Sequence, residues 1–243
     1  MARDTLVTGS KLTALANSIR EKADISDSLT LDGMKTAVDN IQTGGDLELV
    51  KKLIERPSNI DLVIPEGVTS IGASTFYGFD GLKTVTIPES VEVLGQSSFI
   101  NCSNLVTAYV NSKFAGNIMF SYPCQKLTTI VLGNTVTRIN NRLAAGLSSL
   151  TTVNFPNSLT YINYPFYNCP NLEFITIENG FNCNGLDLST STKYSATTIV
   201  SWLNALADRT GQTAYTLTMG STNLAKLTSD QIAIATNKNW NLL

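Results

Sequence analysis

There is no histidine anywhere in the 243 residues. That removes Ser-His-Asp and Cys-His catalysis and every histidine-ligated metal site together. Charge is also scarce. Charged residues make up 15% of the chain, with 17 Lys and Arg against 19 Asp and Glu, for a net charge of −2. No basic cluster stands out, so no nucleic-acid partner is expected. No apolar run approaches the roughly 20 residues a membrane span needs. The opening MARDTLVTGSKL has no apolar core of the signal-peptide type, and on that reading the chain does not take the usual secretory route. P-loop, dinucleotide and calcium-loop patterns are missing too. Glu66, Glu89, Glu92, Glu173 and Glu178 fall singly at turns, without the paired setting that glycoside hydrolysis requires. The expectation is therefore a non-enzyme with no catalytic residues, no cofactor and no metal.

What the chain has instead is repetition. The segments VIPEGVTSIG (63–72), TIPESVEVLG (86–95), VLGNTVTRIN (131–140) and NFPNSLTYIN (154–163) are versions of one phrase. The apolar residue closing each short strand recurs at Ile64, Ile87, Val110, Leu132, Phe155 and Ile177, at intervals of 23, 23, 22, 23 and 22. A period in the twenties means stacked supersecondary units that share one core. A second feature, L-x-x-φ-x-φ with φ apolar, starts at Leu82, Leu105, Leu127, Leu150 and Leu172. Its alternating end predicts a strand with one buried face. A further apolar anchor is expected at Ile71, Leu94, Ile118, Ile139 and Ile162, and a plug at Phe76, Phe99, Leu143 and Phe166. Pro65, Pro88 and Pro156 mark the corners. Cys102, Cys124 and Cys169 occupy equivalent places in three units, and Cys183 lies beyond them. They read as buried small thiols, and no disulfide is expected.

The wording Ile-Pro-x-x-Val-x-x-Ile-Gly, then Phe, then Asn-Cys-x-Asn-Leu closely resembles the BspA-like subfamily of leucine-rich repeats. It is carried by Ile64 to Gly72, by Ile87 to Gly95 with Phe99 and Asn101 to Leu105, and by Phe155 to Asn163 with Phe166 and Asn168 to Leu172. The resemblance covers residues 60–178. It implies a mainly β repeat solenoid of 22–23-residue coils. The third unit departs from the pattern, since NSKFAGNIMFSYPC follows Val110 without the Pro or the Ile-Gly, so a bulged corner is expected there.

The expected organisation has four parts: an N-terminal helical attachment or oligomerisation segment (1–45), a cap helix and lead-in (46–59), the solenoid (60–180) and a C-terminal α/β cap (181–243). In the first, Leu12, Leu15, Ala16 and Ile19 share one helical face behind Ser10, and Leu31, Met34, Val38 and Ile41 share another behind Thr30. Gly44-Gly45 breaks the chain, and a short helix after Asp46 must stop before Pro57. Two such helices make a poor domain alone and should cap the first coil or bind a partner. The segment KLTALANSIREKADISDSLTLDGMKTAVDNI also resembles the start of tail-associated proteins of phages and prophages of gut Firmicutes, through Lys11 to Thr13, Ile19-Arg20, Lys22, Leu29 to Asp32 and Met34. At the other end, Ile199, Trp202, Leu203 and Leu206 predict a helix from about Ser195 to Gly211. A strand is expected over 215–218. Thr228-x-x-Gln231 should cap a last helix burying Ile232 and Ala235, followed by alternation at Trp240 and Leu242.

Surface is what remains for function. The outward positions of the repeat strands are Thr84 and Thr86, Thr107 and Tyr109, Thr129 and Val131, Thr152 and Asn154, and Phe174 and Thr176. Stacked coils would align them in columns. Such a face is either a threonine ladder without a partner or, with Tyr109, Val131 and Phe174 exposed in it, a recognition surface for a glycan or protein. Tyr161, Tyr164 and Tyr167 are expected to sit half-buried at a corner. The phage resemblance implies a virion protein of tail, fibre or baseplate, assembled in the host cytoplasm. Other virion proteins or a second copy would then meet residues 1–45. The alternative is a BspA-like adhesin at the bacterial cell surface.

Overall fold

The computed structural model describes residues 59–116 and 118–243. The helices expected before residue 58, and with them the attachment residues Leu12, Leu15, Ile19, Leu31, Met34, Val38 and Ile41, lie outside the described residues. From Ile60 onward the chain winds in coils. Each coil contributes a strand to a six-stranded parallel sheet in the order β1 (Ile60–Val63), β3 (Leu82–Ile87), β5 (Thr107–Val110), β8 (Thr129–Leu132), β11 (Thr152–Phe155) and β14 (Phe174–Ile177). Neighbours in sequence are neighbours in the sheet, as a stack of one-directional coils requires.

Two further sides of the coils carry shorter parallel ladders. On one, β2 (Ser70–Ile71) pairs with β4 (Val93–Leu94), and β6 (Phe114–Gly116), β9 (Arg138–Asn140) and β12 (Tyr161–Ile162) form a three-stranded sheet. On the other, β7 (Phe120–Ser121), β10 (Ala144–Ala145) and β13 (Phe166–Tyr167) form another. Between the principal strand and the next one, four coils turn through matching bonds: Val68 N to Pro65 O, Val91 N to Pro88 O, Val136 N to Gly133 O and Leu159 N to Pro156 O. Each turn buries its fourth residue, so the corner both reverses the chain and fills the core. Gly95 is there for space. A Cβ on it would lie 2.1 Å from the backbone nitrogen of Ala73 in the coil before, closer than any side chain can approach.

The core is a column of side chains running through the coils. Leu82, Leu105, Leu127, Leu150 and Leu172 are buried, as are the strand-closing residues from Ile64 to Phe155. Phe76 stacks on Phe99 with centroids 5.0 Å apart, and Phe99 meets Phe120 at 5.8 Å. Two expectations fail in detail. Ile118 is not the third anchor: Ala115 is buried and pairs with Ile139, because that coil lacks the longer Pro-type corner and reaches its second strand sooner. Nor is Leu143 the plug of its coil. It is buried, but Ala144 occupies the register position between Phe120 and Phe166, and the phenylalanine stack ends there for want of a ring.

After β14 the connections become helical. The chain runs through β15 (Leu186–Asp187), α1 (Ala196–Ala205), β16 (Tyr215–Thr218), α2 (Ser221–Leu224), α3 (Ser229–Thr236) and β17 (Trp240–Leu242), and the three strands form a separate parallel sheet. The sequence places β16 and β17 correctly, and the Thr228–Gln231 capping box forms in full. Helix α1 starts behind its Ser195 cap but stops at Ala205, short of Gly211. There Leu206 turns extended to bridge Phe181, and Lys238 Nζ donates to the free carbonyls of Leu203, Asn204 and Leu206. Of the two residues expected to bury α3, Ala235 does so, and Ile232 stays half-exposed. Trp202 closes the solenoid edge: it is fully buried, and its indole N–H donates to Ile175 O of the last coil at 2.8 Å.

Candidate functional site

The ten outward residues of the principal sheet come together on one face. Thr84, Thr107, Thr129, Thr152 and Phe174 are successive register partners and form one column. The second column runs from Thr86 through Tyr109 to Val131 and resumes with Asn154 and Thr176. Alternation with the buried Val85, Ala108, Ile130, Val153 and Ile175 aims all ten away from the core. The columns are not uniform. Asn154 spends its amide on the fold, donating to Leu132 O and accepting from Leu132 N, both at 2.7 Å. It thereby bridges a stretch where the ladder between β8 and β11 is open.

Two members of this face escaped the sequence reading. Asp61 pairs with Thr84 and Val63 with Thr86, extending both columns by one coil. The alternation of IDLVI was the available signal. Thr84 Oγ1 donates to Asp61 Oδ1 at 2.7 Å. The bulky exposed groups are Val63 (62% exposed), Tyr109 (42%) and Phe174 (60%), so apolar surface stands at both ends and near the middle, separated by threonines. This arrangement offers stacking and van der Waals contact flanked by hydroxyls, with one carboxylate at an edge.

Stacked corners change the reading of the acidic residues. Glu66 and Glu89 are not isolated in space. They line one shallow depression with Ser90, Lys113, Asn134, Thr135 and Thr137, where the shortened third corner leaves a notch of about 490 Å³. No group of three or more metal-ligating side chains exists among the described residues. The cysteines behave as expected of core residues. All four are free and buried, and Cys102 and Cys124 donate to Phe76 O and Phe99 O of the preceding coils. Burial pushes the Cys169 thiol up to about 11 and that of Cys183 to about 12, and it raises Cys102 and Cys124 likewise. None is a thiolate poised for chemistry.

The tyrosine cluster was misplaced. Tyr161, Tyr164 and Tyr167 are exposed, because each occupies an outward position of its turn or strand while Ile162 and Phe166 point in. Arg138 lies over the Tyr161 ring at 4.6 Å and Arg142 over that of Tyr167 at 4.2 Å.

A family profile agrees with this architecture. The profile of the BspA type leucine rich repeat region, in six copies, matches residues 55–173 and 113–196. Repeat families of this kind are generally binding or structural proteins, and they mediate protein interactions. No curated protein is significantly similar to the chain. Three solved structures match parts of the chain. A leucine rich cell surface protein from Faecalibacterium prausnitzii A2-165 is 27% identical over 49% of this chain and 32% of its own, with a TM-score of 0.43. A leucine-rich repeat protein from Bacteroides ovatus ATCC 8483 is 19% identical over 75% and 42%, with a TM-score of 0.44. The leucine rich repeat protein of T. pallidum is 16% identical over 76% and 86%, with a TM-score of 0.43. The chain thus spans 32% and 42% of the length of the first two. Among the described residues no helix is long and apolar enough to cross a membrane.

Proposed function

We propose that this chain, which belongs to the BspA-type leucine-rich-repeat family, is a non-enzymatic recognition module that meets a macromolecular partner through the face of its six-stranded sheet. The observation that carries the reading is the exposure of Val63, Tyr109 and Phe174 in register with threonines on a rigid parallel sheet. Isolated large apolar groups are ordinary on surfaces, but a ladder holds these three in fixed columns, and exposed aromatics so held are what binding faces use. Replacing Tyr109 and Phe174 together by Asp should abolish attachment to the partner surface without unfolding the protein. Retained attachment would move the contact elsewhere.

The setting we propose is a phage tail, fibre or baseplate. Residues 10–42 supply the support, through their likeness to tail-associated segments, and residues 1–45 are assigned the docking role. Mass spectrometry of purified phage-like particles against the cell-wall fraction of the source strain tests this. Presence in particles supports the virion setting, and presence only in the wall fraction makes the chain an adhesin.

A further inference from the structure

A second surface is built differently from the sheet face. Where β13 ends and β15 passes, a depression of about 390 Å³ opens between the last coils and the C-terminal sheet, and Tyr164, Tyr167, Asn168, Asp187 and Thr190 line it. That volume suits one small ligand unit. Its rings are exposed, Tyr164 by 64% and Tyr167 by 53%, and Arg142 covers one face of Tyr167 at 4.2 Å, which leaves Tyr164 as the open ring. Tyr164 also holds a left-handed backbone, φ +42, where the same turn in the first two coils has Ser74 and Ser97. Ile118 and Arg142 take the same conformation in the third and fourth coils, so the turn belongs to the repeat, and in the fifth coil it presents a tyrosine outward.

The polar groups across the depression are set in place. Asp187 Oδ1 accepts from Ser189 N at 2.9 Å and from Ser189 Oγ at 2.6 Å, which orients the carboxylate. Thr190 Oγ1 is buried without any hydrogen-bond partner. That oxygen is closed to solvent, so Thr190 lends the depression shape and no hydrogen bond. The lining carries a carboxylate and an amide and no Lys or Arg of its own, and the neighbouring Arg142 guanidinium is engaged on the Tyr167 ring. It therefore favours a neutral ligand over an anionic one. The ligand should offer an apolar C–H face to an aromatic ring and several hydroxyls at its edge.

We infer that this depression is a subsite for one neutral hexopyranose unit of a glycan. The sugar's C–H face lies on Tyr164, its hydroxyls donate to Asp187, and Asn168 completes its edge. The site is separate from the sheet face, so either can fail without the other.

The test is saturation-transfer NMR on the full chain with the methyl glycosides of glucose, galactose, mannose and N-acetylglucosamine. N-acetylneuraminic acid and a proline-rich peptide serve as competing probes. At least one neutral glycoside should receive saturation. Tyr164→Ala and Asp187→Asn should each weaken binding by roughly tenfold, as expected for losing one stacking or charge-assisted contact. Tyr164→Phe should retain it. An unchanged thermal midpoint in all three variants shows that the fold is intact. Transfer to no neutral glycoside, or transfer that survives both Tyr164→Ala and Asp187→Asn, overturns the assignment. Preference for N-acetylneuraminic acid overturns its neutrality, and binding of the peptide alone makes the depression a peptide site.

Discussion

The two halves of the described chain build parallel sheets by opposite means. From Ile60 to Ile177 every coil returns through turns and strands of two or three residues, and consecutive sheet partners stand 22 or 23 residues apart, as in Thr84, Thr107, Thr129 and Thr152. From Leu186 to Leu242 the return is helical, and the partners Leu186, Leu217 and Leu242 are separated by 31 and then 25 residues. A helix is wider than an extended turn, so it cannot be stacked at the spacing of the short coils. It can cover an end. The comparison teaches that the regular part extends by adding copies, whereas the irregular part stops the extension, with Trp202 satisfying a carbonyl of the last coil.

Both tryptophans of the chain, Trp202 and Trp240, lie in the helical part, so their fluorescence reports that half and, through Trp202, its joint with the last coil. The largest expected effect is in the other half. Phe99→Ala should cost about 3–5 kcal/mol, because its ring joins Phe76 and Phe120. If the halves unfold as one, urea curves from tryptophan fluorescence and from far-ultraviolet circular dichroism will shift together. Separate midpoints would break them into independent units.

Alkali sharpens the same contrast. A thiol kept neutral by burial stays protonated in the native state, while the unfolded thiol ionises above about pH 8.5. Stability therefore falls as pH rises from there towards the folded values, about 11 for Cys169 and 12 for Cys183, by up to about 1.4 kcal/mol per pH unit for each thiol. Three of the four cysteines belong to the coils. Cys169→Ala should make the fall between pH 9 and pH 10 shallower, and an unchanged slope would mean that this thiol does not titrate on unfolding.

Smaller effects probe the joint and the packing. Trp202→Phe keeps a buried ring but leaves Ile175 O unpaired, for a loss of about 1–3 kcal/mol in thermal or urea unfolding. Gly95→Ala forces the second coil away from Ala73 and should cost about 1–3 kcal/mol by the same measurement. Thr152→Ala, on the exposed sheet face, should change stability by no more than about 0.5 kcal/mol. A large loss there would mean that the threonine column holds the sheet together and is not simply surface.

The repeat was legible because each coil solves the same packing problem with the same residues, so Leu105 or Leu150 announces its burial by spacing alone. Where one coil solves it differently, the spacing misleads. Ile118 has the right residue type in the right neighbourhood, yet the shorter corner hands its place to Ala115. The tyrosines misled for another reason. Their exposure depends on which turn residue takes the left-handed conformation, as Tyr164 does, and three-letter spacing does not encode that. The sheet face was legible as a set of positions, and its first coil, Asp61 and Val63, was passed over because the phrase there is incomplete.

By itself, the sequence determined the family, the period, the parallel sheet and the buried ladder, since periodic burial of apolar side chains is local information repeated until it is unambiguous. The tertiary structure alone decided where different coils meet: the notch that gathers Glu66 and Glu89 beside Lys113, the amide of Asn154 inserted into a ladder, and the depression that sets Tyr164 opposite Asp187. Those contacts join residues more than twenty positions apart through the stacking of whole coils, and no single coil carries the distance between them.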